Sequence, residues 1–242
     1  MCNSSSLKDE LIEKLWLPKA KEAWSIIYPR RKKHARMRML TLSDGLDLGE
    51  VSKLEEANLV MREDSVAWVS SMNKRWRVEA ENIGLVIDGH VYDSSFLTPS
   101  CPLVSHFPFD ILNLDFGSQD AEMNEGRTEI ELMAFEKFVH LQGQNGKRKF
   151  LVVFTVPINS CDLDCASVVR GSDAMRVDGW GGLRLDKYSE HIVEQSDKTD
   201  FIQVIADSVI RKYGYSCHSG LVPLLCSNSK RILFSIAGVL VR

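Results

Sequence analysis

The sequence predicts a doubly wound α/β fold, with a mostly parallel seven-stranded sheet that closes on an antiparallel C-terminal strand pair. Three observations carry this. Residues 37–64 run strand, glycine-bearing turn, short helix, strand and acid, the order of a nucleotide-binding βαβ unit. Apolar runs too short for helices then alternate with helically spaced ones as far as residues 150–156. Near the C-terminus, residues 220–225 and 232–241 are two apolar runs separated by the polar link Ser227-Asn228-Ser229-Lys230, which only an antiparallel pair can span.

The chain has 242 residues, 44% of them hydrophobic and 26% charged, enough to bury a sizeable core as one large domain. We read residues 1–36 as a helical and basic extension and 37–242 as the α/β domain. A net charge of -3 and a pI near 6.1 give no global drive toward nucleic acid or an acidic membrane. The N-terminus carries acids where a secretory signal needs an apolar core, and no apolar run approaches membrane-spanning length. A cytoplasmic protein is the expectation, and six scattered cysteines fit reduced thiols there better than a disulfide framework.

Taken in order, residues 7–27 place Leu11, Leu15, Ala20, Ala23 and Trp24 near helical spacing, with Ser6 as a cap and Pro18 dividing the helix. A basic run follows: Arg30, Arg31, Lys32, Lys33, His34, Arg36 and Arg38. Such a cluster suits phosphate contact with RNA or DNA, although charged segments beside a core strand are more often only solvated. The first strand is expected at 37–42, running into Ser43-Asp44-Gly45-Leu46-Asp47-Leu48-Gly49 and a helix at 50–57. The second strand is expected at 58–61, with Arg62-Glu63-Asp64 after it. Val66, Val69, Met72, Trp76 and Ala80 recur at three- and four-residue steps, which predicts a helix over 66–81.

The third strand is expected at 83–87, ending at Asp88-Gly89, and a proline-containing loop covers 90–108. Residues 109–119 read FDILNLDFGSQ: Phe109, Ile111, Leu112 and Leu114 make a buried strand that delivers Asp115 into a turn. Ligands gather outside the carboxyl ends of the strands in such sheets, so an acid there is a candidate for chemistry; a turn whose Asp only bonds local backbone is the plainer alternative. Thr128 and Glu131 form a capping box for a helix that Gln-Gly-Gln-Asn-Gly ends. Residues 150–156 predict a strand buried on both faces and stopped by Pro157; 158–195 are irregular, and Phe201, Ile205, Ser208 and Val209 mark a last helix.

This order of elements resembles the class I S-adenosylmethionine-dependent methyltransferase fold, over residues 37–242. In that family an acid-x-Gly-x-Gly-x-Gly loop after the first strand binds the methionine part of the cofactor. The corresponding positions here are Ser43, Gly45, Asp47 and Gly49, so two glycines match while the leading acid and the middle glycine are replaced. The resemblance implies that Glu63, or Asp64 beside it, is the ribose-binding acid and that Asp88 contacts the adenine. Asp115-Phe116-Gly117-Ser118 is similar to the Asp-Pro-Phe-Gly motif of amino-methyltransferases, without its proline. By that likeness Asp115 would hold a target amino group and Phe116 would stack on a base, which is catalysis by orientation.

Two classes of function follow from this. One is methyl transfer from S-adenosylmethionine to an amino group, on nucleic acid among other acceptors. The other is an inactive methyltransferase-like module that binds nucleic acid, a nucleotide or a protein partner. A zinc site from Cys161, Cys165, Cys217, His218 and Cys226 fails on spacing, so no metal is expected. No G-x-S-x-G elbow supports a nucleophilic triad.

Overall fold

A computed structural model describes residues 7–29, 35–43, 48–69, 82–88, 101–116, 127–158, 198–227 and 232–242. The chain opens with α1 (Leu7–Leu11), passes through one π-helical turn (Ile12–Trp16) and continues as α2 (Leu17–Ile27). The π turn lies just ahead of Pro18, where the sequence predicts a division. Leu17 donates its N–H to the Ile12 carbonyl, and the wider turn lets Pro18 enter the first turn of α2 without ending the helix. Leu11, Ile12, Leu15, Trp16, Ala20 and Ala23 form its buried stripe.

The strands are β1 (Met39–Ser43), β2 (Val66–Val69), β3 (Leu85–Asp88), β4 (Ile111–Asp115), β5 (Lys149–Ile158), β6 (Ser216–Cys217), β7 (Val222–Ser227) and β8 (Ile232–Val241). The helices after α2 are α3 (Gly49–Glu56), α4 (Arg127–Gln144) and α5 (Lys198–Lys212). The sheet runs β3-β2-β1-β4-β5-β8-β6, with β7 also on β8; the first five strands are mutually parallel and β8 is reversed between β5 and the β6–β7 edge. The N-terminal helix covers one face, against Ile111, Leu151, Val153, Ala237 and Val239. On the other face α4 and α5 bring Phe135, Phe138, Ile205 and Val209 against Leu112, Leu114 and Phe154.

The eighth strand is β6, which lies ahead of the expected sixth strand at 220–225 and pairs with the same strand, β8. Between the pairs Cys217↔Leu240 and Val222↔Ala237 the edge strand has four residues (218–221) where β8 has two (238–239). Two extra residues cannot stay in the ladder, and they bulge out.

Three expectations need correction. The second strand is not 58–61: Asn58 takes a left-handed φ of 58° just after α3, and only Val60 touches the sheet, through a bridge to Met37. The second strand is Val66–Val69, where a helix was expected, and the rest of that expected helix (70–81) lies outside the described residues. A parallel strand buried on both faces is apolar at every position, so its Val66 and Val69 also fit helical spacing. Pro157, expected to end β5, pairs with Leu233 inside it. The described ladder to β4 stops at Asp115↔Thr155, so beyond it β5 has no neighbour on that side among the described residues to need an N–H.

At the amino edge, Asp110 joins the N-terminal helix to the sheet. Its carboxylate accepts from the Arg38 N–H at 2.8 Å and the Tyr28 hydroxyl at 3.2 Å, and it pairs with Lys147. Burial first, and then the neighbouring Asp110 charge, push the Tyr28 phenol from 10.0 up to about 12. A raised folded-state value stabilises fully below the unfolded value and is lost as pH climbs through the folded one. Wild type should therefore lose stability between pH 10 and about pH 12 more steeply than Tyr28→Phe. Urea denaturation of both proteins across that window checks it; parallel declines would remove Tyr28 from the account.

Candidate functional site

Because β1 to β5 are parallel, their carboxyl ends form one edge, and most of the expected site residues with described positions lie there. Ser43 ends β1, Gly49 opens α3, Asp88 ends β3 and Asp115 ends β4. Gly45 and Asp47 lie outside the described residues. Glu63 lies elsewhere. It sits exposed in the 3-10 turn Arg62–Asp64, which precedes β2, so it belongs to the amino edge. Its expected place rested on a strand at 58–61. The residues that do follow the second strand are Ser70-Ser71, and neither is an acid.

Asp115 is almost wholly buried and faces the layer of the N-terminal helix, as Asn113 does two residues earlier on β4. Phe116 is fully buried with its ring edge-on to Phe154 at 5.8 Å. The ring is packed in the core, whereas the resemblance implied a ring open to a base. Without the motif's proline, the aromatic follows Asp115 directly and continues inward from the strand.

Four residues that the sequence did not single out complete the site: Glu50, Lys8, Thr41 and Asn113. Glu50, in the first turn of α3, has no exposed surface, and its Oε2 lies 2.8 Å from Lys8 Nζ. The same ammonium is 3.5 Å from Asp115 Oδ2. Thr41 Oγ1 donates to Glu50 Oε1 at 2.8 Å, and Asn113 Nδ2 donates to Thr41 Oγ1 at 3.0 Å. Asn113 Oδ1 is buried with no hydrogen-bond partner among the described residues. Farther along the same face, Thr155 and Ser235 share a 2.8 Å bond and Trp16 Nε1 donates to Ser235 at 3.1 Å. The carboxyl edge thus carries a buried polar layer that joins β1, β4, α3 and the N-terminal helix.

Glu50 suits its place because the first turn of a helix favours a negative charge. Burying two carboxylates is expensive unless they are paired, and Lys8 is the cation seated against both. The signals in the sequence were slight: an acid directly after Gly49, and one Asn inside the apolar run Ile111-Leu112-Asn113-Leu114.

The described part of the basic run, Arg36 and Arg38, lies at the opposite edge. Arg36 donates to Asn58 Oδ1 at 3.2 Å, and Arg38 lies 4.7 Å from the Phe109 ring centroid while donating to the Pro108 carbonyl. Arg30, Arg31, Lys32 and Lys33 are outside the described residues. So are Cys161 and Cys165, and no group of three or more His, Cys, Asp and Glu suited to a metal occurs among the described residues. No helix among them is long and apolar enough to cross a membrane.

No protein family profile matches the sequence, and no curated protein matches it. Solved structures do match. A parallel sheet closed by one reversed strand, in the order seen here, decides the fold. The fold is class I methyltransferase-like. Magnesium protoporphyrin IX methyltransferase (ChlM) from Synechocystis PCC 6803, solved with bound SAH, is 9% identical over 100% of this chain and 90% of that chain, at a TM-score of 0.43. A putative sarcosine dimethylglycine methyltransferase from Galdieria sulphuraria is 9% identical over 96% of this chain and 90% of that one, at 0.44. TrmN from Thermus thermophilus is 8% identical over 92% of this chain and 48% of its own, at 0.40. Likeness at this level carries no argument of its own, and the fold rests on the strand order and the one reversed strand.

Proposed function

We propose that the chain transfers a methyl group from S-adenosylmethionine to an amine, with Asp115 as the residue that holds the acceptor nitrogen. The observation behind this reading is the place of Asp115: a buried carboxylate at the carboxyl end of a central parallel strand, with a nitrogen cation already seated beside it. A carboxylate that accepts a hydrogen bond from an amine directs the nitrogen lone pair and so lowers the orientational part of the barrier. Burial excludes water and strengthens that bond. An acceptor that arrives as an ammonium must give up a proton before its lone pair can attack the methyl, and Asp115 would be the base that takes it.

S-adenosylmethionine would supply an electrophilic methyl on a sulfonium centre. Ser43, Gly45, Asp47, Gly49 and Asp88 are the residues of this chain that would hold it. One local feature suits such a ligand: Leu48 gives α3 no side-chain cap, so the first-turn N–H groups must find acceptors elsewhere, and a bound group could be one. Asp47, where the family has glycine, opposes it with bulk and charge.

The acceptor we favour is a small amine. Phe116 is withdrawn into the core, and the described part of the basic run lies on the opposite edge, so support for a nucleic-acid acceptor is weaker. A second reading, binding without transfer, draws on Lys8, whose ammonium already answers both acids. In it, Arg30, Arg31, Lys32, Lys33, Arg36 and Arg38 serve an RNA, DNA or protein partner.

Calorimetric titration with S-adenosylmethionine and S-adenosylhomocysteine separates the two. The expected result is saturable binding that tightens in Asp47→Gly and persists in Asp115→Ala, while Asp115→Ala loses methyl transfer by about a hundredfold. No heat from wild type or from Asp47→Gly would reject the transferase reading.

A further inference from the structure

Leu7 packs against the core only partly buried, and the fully buried contacts of the N-terminal helix come from its later turns. Its buried stripe begins at Leu11, Trp16 bonds Ser235, and Lys19 Nζ donates to Ser219 Oγ at 2.8 Å. Residues 7–10 are only half-buried. Lys8 belongs to that first turn, yet its ammonium reaches the buried acids at the carboxyl edge, 2.8 Å from Glu50 and 3.5 Å from Asp115. A helical first turn is the part of a helix that opens at least cost, since its N–H groups have no partners within the helix.

An alkyl chain ending in a charged nitrogen has been brought to the carboxylate at the end of the central strand. We propose that Lys8 is an internal stand-in for a cationic amine: the first helical turn plugs an amine site made by Asp115 and Glu50, and an alkylammonium ligand binds there when the turn withdraws. The proposal extends the amine-acceptor reading of Asp115 to its regulation and rests on that reading for its link to catalysis. The amine site itself is tested without cofactor.

The chemistry of the occupant matters. An ammonium has no lone pair, so Lys8 in this ion pair blocks Asp115 without accepting a methyl itself. Thr41 and Asn113 hold the acids when the ammonium leaves: Thr41 keeps its bond to Glu50, and Asn113 keeps its bond to Thr41. Among the described residues the site is thus built from the sheet and α3, and Lys8 is the member that comes from the first turn of α1. A free amine competes with a tethered one whose effective concentration is on the order of millimolar, so the wild-type protein should respond weakly to added amine.

The test is thermal unfolding of the full chain with ethylammonium chloride, against matched sodium chloride and tetramethylammonium chloride. Lys8→Ala leaves room for an ethylammonium ion. Its melting temperature should lie below that of wild type and rise saturably with ethylammonium, beyond either control salt, as expected of a ligand that binds only the folded state. Wild type should need at least about tenfold more amine for a comparable rise, and Lys8→Ala/Glu50→Gln/Asp115→Asn should show none.

Should Lys8→Ala fail to fold, Lys8→Ala/Glu50→Gln removes the unpaired acid and keeps Asp115. It should show the same selectivity at about tenfold higher amine, having lost one charge-assisted hydrogen bond. A rise no larger than that with sodium chloride, or one as large in wild type as in the variant, overturns the proposal. Amine rescue without S-adenosylmethionine binding would keep the plugged site and reject methyl transfer; cofactor binding without rescue would do the reverse.

Discussion

Gln142→Leu is expected to lower the unfolding free energy by about 2–6 kcal/mol, although leucine nearly matches glutamine in volume. Gln142 has no exposed surface, and its amide copies the edge of a strand: Oε1 accepts from the Phe109 N–H at 2.9 Å, and Nε2 donates to the Phe109 carbonyl at 2.8 Å. Phe109 is itself fully buried just ahead of β4, so neither backbone group has water to turn to. Leucine would strand both, at about 1–3 kcal/mol each. Glutamate gives a sharper contrast. Neutral, it can accept and donate as glutamine does; charged, it cannot donate and is buried without a cation. Its folded-state value is therefore raised, so Gln142→Glu should approach wild type below the ordinary carboxylate range and lose stability as pH rises through the raised value. Urea denaturation at fixed m-value checks both substitutions. A Gln142→Leu protein within about 0.5 kcal/mol of wild type would show that Phe109 is satisfied in some other way. The effect reaches the site because Phe109 leads directly into the strand that ends at Asp115.

The parts legible in the sequence were those whose pattern is local. The run Phe150 to Val156 could only be a doubly buried strand, and two apolar runs joined by so short a polar link could only pair antiparallel. Strand β4 and its terminal acid were legible for the same reason. What failed were short segments with two patterns in common. Val66 and Val69 satisfy a helical step and a buried strand alike, and misplacing that one strand carried Glu63 to the wrong edge of the sheet. Phe116 is a different case: the motif keeps the residue type without its proline, and the ring lies against Phe154 in the core. The joining of Lys8, Glu50 and Asp115 was not legible at all, because three residues so far apart in the chain meet only after the helix lies across the sheet. Resemblance gave the order of elements, whereas only the packed structure shows which cation answers which acid.

Gly84→Ala is expected to cost about 3 kcal/mol, the upper part of the range for overpacking, because there is nothing soft for the new methyl to displace. A Cβ at Gly84 would stand 1.8 Å from the Glu63 carbonyl oxygen, 2.5 Å from the carbon of that carbonyl and 3.2 Å from the Ser65 oxygen. All three are backbone atoms. The contact is close because Gly84 donates its N–H to the Arg62 carbonyl at 3.0 Å, which ties the approach to β3 against the 3-10 turn ahead of β2. Relief requires the two strand starts to part, and that weakens the first rungs of the β2–β3 ladder, Val66↔Leu85 and Ala67↔Val86. Gly146 is the control. It has φ +71° and nothing within 4 Å of a Cβ, so Gly146→Ala should cost about 1–2 kcal/mol from conformation alone. Equal losses in the two variants would mean that the turn before β2 yields freely and that close approach is not why position 84 needs glycine. A larger loss at Gly84 carries a second consequence, since β3 ends at Asp88, four residues on. If Asp88 helps to hold the cofactor, Gly84→Ala should also weaken S-adenosylmethionine binding at temperatures where the protein is still folded, and Gly146→Ala should not.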